Sequence, residues 1–204
     1  MITVIDYGLG NIKSVGRAFE KLGADVRISS IPEDIFDSDG IVLPGVGAFK
    51  KAKDNIMRLG IMDVLLDYLK SNRPYLGICL GLQLLFSESR EYGQTKGFNI
   101  FEGIVEKLPR DVKIPHMGWN QVLCSDENEI FRNIKNNSYF YFDHSYYVVP
   151  AEKTINAGIT EYGIRFTSAV QCSKIWGVQF HPEKSGDAGF RILRNFIKQC
   201  SQKE

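Results

Sequence analysis

The chain has 204 residues, 44% hydrophobic and 24% charged, and its 25 Lys and Arg residues nearly balance 24 Asp and Glu residues. This composition predicts one globular domain over residues 1–204. It excludes the strongly basic surface with which proteins bind nucleic acid or an anionic membrane. No apolar run reaches membrane-spanning length, and the N-terminus lacks the basic and apolar regions of a signal peptide.

The first half of the chain predicts alternating strands and helices. Strands are predicted at residues 2–5, 26–29, 40–43 and 75–78, and the first and last of these are apolar runs. Two amphipathic helices are predicted from the apolar faces Ile12, Val15, Phe19 and Leu22, and Ile61, Val64, Leu65, Tyr68 and Leu69. This alternation predicts an α/β fold with a doubly wound, mostly parallel central sheet flanked by helices. Sites in such sheets form at the carboxyl ends of strands, where Asp6, Gly45 and Cys79 fall.

The glycine-rich turn after the first strand does not complete a dinucleotide-binding fingerprint. Gly8 and Gly10 have the required spacing, but the third glycine would fall at Lys13. We therefore predict a tight turn and no nucleotide cofactor. The cysteines also lack the Cys-x-x-Cys spacing of metal and redox sites, since they stand at Cys79, Cys124, Cys172 and Cys200. This scatter indicates a reducing, cytoplasmic setting without disulfides or a metal site.

After about residue 97 the pattern changes to short strands separated by turns. The predicted strands cover residues 103–108, 121–124, 139–149, 156–160, 166–171 and 175–180. A closing helix has the apolar face Phe190, Leu193, Ile197 and Cys200. The second half therefore predicts a mixed or antiparallel continuation of the sheet.

Cys79 lies in the pattern Gly77-Ile78-Cys79-Leu80-Gly81, between a predicted buried strand and a predicted helix over residues 80–86. Such a strand-to-helix turn is typical of a nucleophile elbow, which needs small residues on either side of the nucleophile. The N-terminus of the helix favours the thiolate. The alternative is an ordinary buried cysteine. A nucleophile also needs a base and a site for the oxyanion.

The predicted base is His181, one of three histidines in the chain. The predicted strand ends at His181 and Pro182 keeps the chain extended, so the side chains of His181 and Glu183 point the same way. A carboxylate in this position fixes the imidazole tautomer and stabilises the imidazolium. The alternative is a surface histidine beside a solvated acid. The backbone N–H of Leu80 and the glycine-rich run 44–47 are the predicted oxyanion donors.

Together these motifs resemble the class I, triad-type glutamine amidotransferases, on residues 77–83 and 180–183. More narrowly, the chain is similar to the glutaminase subunits of imidazole glycerol phosphate synthases, on residues 6–11, 44–49, 115–120, 144–146 and 179–185. The resemblance covers essentially the whole chain in the same order. It implies a flavodoxin-like α/β fold.

The resemblance also implies roles for individual residues. Cys79 would be the nucleophile, His181 the base and acid, and Glu183 the residue that orients it. Val46 and Leu80 would donate oxyanion N–H groups, the former after a peptide flip. The amino-acid end of glutamine would be held by Gly47, Gln83, His144, Ser145 and Tyr146. The side facing a synthase partner would include Asn11, Trp119 and Lys184.

The implied reaction is hydrolysis of L-glutamine to glutamate and ammonia without a cofactor. The ammonia would pass to a (β/α)₈-barrel cyclase subunit in a heterodimer. That subunit makes imidazole glycerol phosphate and the aminoimidazole carboxamide ribonucleotide of histidine biosynthesis.

Three other interpretations stay open at this point. The residue before His144 is usually apolar in the family, but here it is Asp143. This is either a neutral change or the mark of a paralogue that supplies a different synthase, such as a surface-sugar amidotransferase. A cysteine hydrolase for other carbonyl compounds is the second interpretation, and Gln83 and residues 144–146 argue against it. The third, a non-catalytic subunit, is disfavoured by the intact set of Cys79, His181 and Glu183.

Overall fold

A computed structural model describes residues 1–125 and 127–202. The strands of the first half are β1 (Ile2–Ile5), β2 (Val26–Ser29), β3 (Gly40–Gly45) and β4 (Tyr75–Cys79). The helices there are α1 (Ile12–Lys21), α2 (Pro32–Phe36), α3 (Phe49–Arg58), α4 (Met62–Lys70) and α5 (Leu80–Gln83). The strands of the second half are β5 (Phe86–Ser89), β6 (Thr95–Lys96), β7 (Phe101–Lys107), β8 (His116–Cys124), β9 (Ser138–His144), β10 (Tyr146–Pro150), β11 (Asn156–Tyr162), β12 (Ile164–Cys172) and β13 (Ile175–Val178). The last helix is α6 (Gly186–Ser201).

The strands form one connected sheet in which a parallel part continues into a mostly antiparallel part. Strands β2, β1, β3, β4 and β13 lie side by side and run parallel. Strand β12 pairs antiparallel with β13, and the sheet continues through β10, β7, β5 and β6, with β11, β8 and β9 branching from β12. The predicted doubly wound sheet with an added mixed portion is confirmed.

Alternating side chains along β1 divide the apolar core between the two faces of the sheet. Ile2 and Val4 pack in one cluster with the inward faces of α1 and α6, where the rings of Phe19 and Phe196 meet edge to face at 6.1 Å. Ile5 packs in the other cluster, with α2, α3 and α4. The helices therefore cover both faces, which leaves the carboxyl ends of the parallel strands open for a site.

Several predicted elements need correction. Helices α2 and α3 and strands β5 and β6 were absent from the sequence prediction. The long strand predicted at residues 139–149 is two strands, β9 and β10, separated at Ser145. The strand predicted at residues 121–124 begins at His116, and the last predicted strand ends at Val178, before His181.

The helix after Cys79 is one turn long, whereas the prediction extended it to residue 86. The residues just after the helix are held by a distant segment, because Leu84 O accepts from Phe98 N at 2.7 Å and Leu85 O accepts from Ile100 N at 2.9 Å. These contacts hold residues 84 and 85 against residues 98–100 and lead the chain out of the helix. Phe86 then begins β5.

None of the helices in the described residues is both long and apolar enough to cross a bilayer.

Candidate active site

Cys79 occupies the sharp turn that the sequence predicted. It ends β4 opposite Gly45 of β3, and α5 begins at the next residue. Its backbone has φ 53° and ψ −103°, a conformation that L residues rarely adopt and that costs about 1–3 kcal/mol. A Cβ at Gly77 would lie 2.5 Å from the Gly81 carbonyl, and a Cβ at Gly81 would lie 1.8 Å from the Leu43 oxygen. The turn can therefore form only with both glycines.

His181 and Glu183 are brought together in the protein interior. The Nδ1 atom of His181 lies 3.0 Å from Oε1 of Glu183, with 4% and 1% of the two side chains exposed. The pairing was predicted, but its cause differs from the prediction: residues Pro182–Lys184 form a 3-10 turn and are not extended. The turn is attached to β9, because His181 N–H donates to the Tyr141 carbonyl at 2.8 Å.

The ionisation of His181 follows from its neighbours. Burial of the ring opposes the charged form, but a Cys79 thiolate and the Glu183 carboxylate together outweigh it and raise the pKa of His181 to about 10. The Nε2 atom is buried and has no hydrogen bond of good geometry to any described residue. One ring nitrogen is thus held by Glu183 while the other is left for proton exchange near the sulfur.

A cavity of about 450 Å³ opens above Cys79. It is lined by Val46, Gly47, Ala48, Cys79, Leu80, Gln83, Glu91, Tyr92, Lys107, Ile114, Pro115, Asp143, His144, Ser145 and Tyr146. All of the predicted oxyanion and substrate residues belong to this lining, whereas His181 and Glu183 lie behind it. Cys79 itself is 5% exposed, so the sulfur stands at the floor of the cavity.

Two charged residues of the lining were missed in the sequence. Glu91 and Lys107 both face the cavity. The Glu91 carboxylate also accepts the backbone N–H of Phe49 at 2.6 Å, at the first residue of α3. No local motif marks either residue, since pairing of β5 with β7 carries both of these segments to the site.

The imidazole of His144 is engaged within the protein. The Tyr146 carbonyl can only accept, so His144 donates Nδ1–H to it at 2.9 Å and accepts at Nε2 from His116 Nδ1–H at 2.9 Å. Asn120 then donates to Nε2 of His116 at 3.2 Å. Burial lowers the pKa of His116 to about 4 and of His144 to about 3, so both rings are neutral. Because both ring nitrogens of His144 are used within the protein, only its backbone and the edge of its ring can contact a ligand.

Both residues predicted to donate to the oxyanion line the cavity. Leu80 supplies the first N–H of α5, which has no acceptor within the helix. Val46 follows β3 directly, and Gly47 beside it has φ 103°, a conformation that favours glycine. Beneath this segment lies Tyr7, whose buried hydroxyl has no hydrogen-bond partner among the described residues.

Tyr7 makes glycine necessary at position 45. A Cβ at Gly45 would lie 1.9 Å from the Tyr7 hydroxyl and 3.1 Å from Leu80 Cβ. We expect Gly45→Ala to lower the free energy of unfolding by about 2 kcal/mol, measured by urea denaturation. Adding Tyr7→Phe removes the nearest atom and leaves a Cζ contact of 3.2 Å, so the double variant should regain at least half of this loss.

Tyr7→Phe alone is the control for this pair. It deletes a buried hydroxyl without a partner among the described residues, so it should leave stability unchanged or slightly raised. A double variant no more stable than Gly45→Ala would contradict the packing argument.

The three predicted partner-facing residues lie outside the cavity. Trp119 and Lys184 meet at Tyr141, with the Trp119 ring edge-on at 6.2 Å and the Lys184 ammonium 5.4 Å above the Tyr141 ring. Asn11 precedes α1 in the loop after β1, at the carboxyl edge of the sheet. Within the described residues, no group of three or more His, Cys, Asp or Glu side chains is arranged to bind a metal ion.

Comparison with known proteins agrees with the geometry. The class-I glutamine amidotransferase family model matches residues 3–200. The imidazole glycerol phosphate synthase subunit HisH of Moorella thermoacetica is 46% identical over 195 residues, which cover 96% of this chain and 93% of that one. The subunit of the same name from Syntrophotalea carbinolica is 45% identical over 203 residues, covering 96% and 98%.

A crystal structure of a glutamine amidotransferase superposes with a TM-score of 0.76 over 99% of this chain and 100% of that one, at 16% identity, and so shares the fold. The family match and the two relatives carry the assignment further. The chain belongs to the class-I glutamine amidotransferase family and, within it, to the HisH subunits of imidazole glycerol phosphate synthase.

Proposed function

We propose that this chain hydrolyses L-glutamine to glutamate and ammonia, with Cys79 as nucleophile, His181 as base and acid, and Glu183 as the orienting carboxylate. One observation carries the proposal. A buried sulfur stands at the floor of a 450 Å³ cavity, next to an imidazole that a carboxylate holds at 3.0 Å. This is the arrangement of nucleophile, base and orienter that amide hydrolysis needs.

The reaction proceeds in two halves. The Cys79 thiolate attacks the carboxamide carbon, and the C–N bond breaks as the His181 imidazolium gives its proton to the leaving ammonia. This leaves a glutamyl thioester. His181, now neutral, takes a proton from water, whose oxygen attacks the thioester carbon. The C–S bond breaks, glutamate leaves, and the thiolate and imidazolium are restored.

The tetrahedral intermediates need donors for their oxyanion. The N–H groups of Leu80 and Val46 would supply them, because both residues line the cavity beside the sulfur. Val46 would reach this position after a flip of the peptide next to Gly47, whose backbone conformation gives the segment freedom to turn. Before this flip, only the N–H of Leu80 would be placed to bind the oxyanion.

The charges of the lining suit the two ends of an α-amino acid. The Glu91 carboxylate would bind the α-ammonium group, and Lys107 would bind the α-carboxylate. Both amide hydrogens of Gln83 are used inside the protein, so its carbonyl oxygen is the atom left for the substrate. The backbone of residues 144–146 and Gly47 would complete the amino-acid subsite.

A partner chain follows from the fate of the product. Ammonia released into water is largely protonated and is no longer nucleophilic, so a synthetic reaction must receive it directly. The HisH relatives are subunits of imidazole glycerol phosphate synthase by name. We therefore assign residues 1–204 as a single glutaminase domain that pairs with the (β/α)₈-barrel cyclase subunit as a heterodimer in histidine biosynthesis.

The partner would dock on the exposed face of β8 and β9. Trp119 is 56% exposed there, beside Tyr141 and Lys184. The same face reaches Asp143, whose carbonyl lies 3.9 Å from the Cys79 sulfur. The Tyr141 carbonyl also accepts the backbone N–H of His181. A partner docked on this face would therefore contact the residue that holds the proposed base in place.

Glutamate release by the purified chain, alone and with the cyclase subunit of the same organism and its nucleotide ligand, tests the proposal. We expect slow release alone and a stimulation of about 100- to 1,000-fold in the complex, the effect of gaining one oxyanion donor. Trp119→Ala should weaken stimulation without changing the activity of the lone chain. Fast release without a partner would contradict the gating.

Labelling of Cys79 by a glutamine analogue, combined with this assay, tests the glutaminase chemistry and the identity of the partner separately. A glutamine analogue that labels Cys79, without stimulation by the cyclase subunit, would keep the glutaminase and move the partner to a different synthase. Failure of the analogue to label Cys79 would remove the glutaminase assignment itself.

A further inference from the structure

Gln179 is a buried polar residue near the sulfur that has no role in the mechanism above. Gln179 lies between β13 and His181 and is 0% exposed. Its Nε2 atom is 3.4 Å from the Cys79 sulfur, and its Oε1 atom is 3.1 Å from Nε2 of Gln83. A buried amide in this position directs a hydrogen-bond donor at the reacting atom.

The direction of this donor is set by a backbone carbonyl. The Tyr146 carbonyl can only accept, so the amide placed 3.0 Å from it must present the nitrogen of Gln83. The second hydrogen on that nitrogen points at Gln179, which must present its oxygen there. The nitrogen of Gln179 then faces the sulfur. Reversing either amide would place two acceptors or two donors against each other.

We propose that Gln179 is a further residue of the catalytic centre, which donates its amide N–H to the Cys79 sulfur, stabilises the thiolate and holds the direction of its attack. Gln83 is the positioning residue that orients the amide. The inference rests on the proposed role of Cys79 as nucleophile. A hydrogen bond to an anion is stronger than one to a neutral atom, so this donor favours thiolate over thiol.

An amide donor differs from the other groups around the sulfur because it does not titrate. The titratable groups that face Cys79 or line its cavity are Tyr7, Glu91, Tyr92, Lys107, Asp143, His144, Tyr146 and His181, with Glu183 behind the last. Burial, followed by the charge of the Cys79 thiolate, raises the pKa of Tyr7, which keeps its hydroxyl neutral. His181 gives up its proton during each turnover, whereas the Gln179 N–H remains in place in both halves of the reaction.

The same hydrogen bonds connect the sulfur to the substrate subsite. The Tyr146 carbonyl accepts from both Gln83 and His144, and residues 144–146 line the cavity. A shift of this loop would therefore change the orientation of Gln83 and, through it, the donor at the sulfur. One network of hydrogen bonds therefore connects the site of the bound amino acid with the nucleophile.

The test is the pH dependence of Cys79 alkylation by iodoacetamide in full-length Gln179→Met, compared with the parent chain. Methionine keeps the length of the side chain and removes the donor. The alkylation midpoint should move up by about one pH unit, a tenfold loss of thiolate, because the lost bond involves a charged group. In the complex with the cyclase subunit, kcat/KM for glutamine at neutral pH should fall about tenfold, mostly in kcat.

Two further variants keep the outcome decisive. Gln199→Met makes the same change at another buried glutamine, in α6 and distant from the cavity, and should leave the midpoint unchanged. Gln179→Glu keeps the shape and the acceptor for Gln83 but turns a carboxylate oxygen towards the sulfur. It should raise the midpoint further than methionine does, and it decides the question if the methionine variant fails to fold.

Unchanged midpoints in folded Gln179→Met or Gln179→Glu would overturn the inference while leaving the glutaminase intact. A parent chain that is alkylated at Cys79 but releases no glutamate in the complex would instead overturn the proposed function, and the inference with it.

Discussion

Cys79→Ala is expected to lower glutamine hydrolysis by roughly 10⁴- to 10⁶-fold while the protein stays folded. In the proposed mechanism the sulfur is the atom that bonds to the carboxamide carbon, so without it no thioester forms. The fold should tolerate the change because alanine keeps the Cβ and only the sulfur is removed, with its contacts to Gln179 at 3.4 Å and the Asp143 carbonyl at 3.9 Å. The measurement is glutamate release in the complex with the cyclase subunit, with urea denaturation as the test of folding.

Cys172→Ala is the matched control for this variant. Cys172 is an exposed, free cysteine at the end of β12, outside the cavity lining. Its removal should change neither activity nor stability. A Cys79→Ala chain with activity comparable to that of the parent would show that the nucleophile lies elsewhere.

The features that the sequence predicted well depend on neighbours along the chain. Strands β1 and β2 have the predicted bounds, because each is a short stretch between turn residues, which leaves few alternatives. The elbow was predicted for the same reason. The crowding at Gly77 comes from residues 81 and 82 of the same turn, so this demand for glycine is local. The crowding at Gly81 comes from Leu43 of the neighbouring strand β3 and depends on the tertiary fold.

The features that the sequence missed depend on distant partners. The chain leaves the helix after Gln83, where residues 98 and 100 hold the carbonyl groups of Leu84 and Leu85. Helix α3 buries only Phe49, Ala52 and Ile56 among mostly polar residues, so its apolar face was too sparse to predict. In each case a tertiary contact decides the outcome, and no local pattern records it.

The site shows the same division. The residues of the proposed triad stand in short motifs that could be recognised, whereas Gln179 was noticed only as part of a motif and not for its own contact. Its side chain hydrogen-bonds to Gln83 and Cys79, which lie 96 and 100 positions earlier in the chain. Glu91 and Lys107 likewise reach the cavity through strand pairing. Residue type alone cannot indicate that a buried amide faces a sulfur.

Glu183→Gln is expected to lower kcat for glutamine hydrolysis by roughly 10⁴-fold, the loss typical of a triad whose orienting carboxylate becomes an amide. Glu183 accepts the Nδ1–H of His181 at 3.0 Å, which leaves Nε2 as the basic nitrogen near the sulfur. An amide can present its NH₂ group to Nδ1 instead. The imidazole proton then moves to Nε2, where it blocks the uptake of a proton from water.

The pH profile distinguishes this loss from a general loss of structure. The pKa of His181 is raised to about 10, with Cys79 and Glu183 as the groups that raise it. The imidazolium, which in the proposed mechanism protonates the leaving ammonia, is therefore present below this pH and lost above it. Without the Glu183 charge the pKa must fall, so the alkaline limb of kcat/KM for the variant should move to lower pH.

Glu106→Gln is the matched control, because it removes a carboxylate that pairs with Arg90 at 2.7 Å outside the cavity. It should leave both the rate and the alkaline limb unchanged. If Glu183→Gln lowered the rate but kept the alkaline limb of the parent, the carboxylate would act only in packing, and the ionisation assigned to His181 would be wrong. A downward shift together with an unchanged urea midpoint would instead place the effect of Glu183 on the proton of the imidazole.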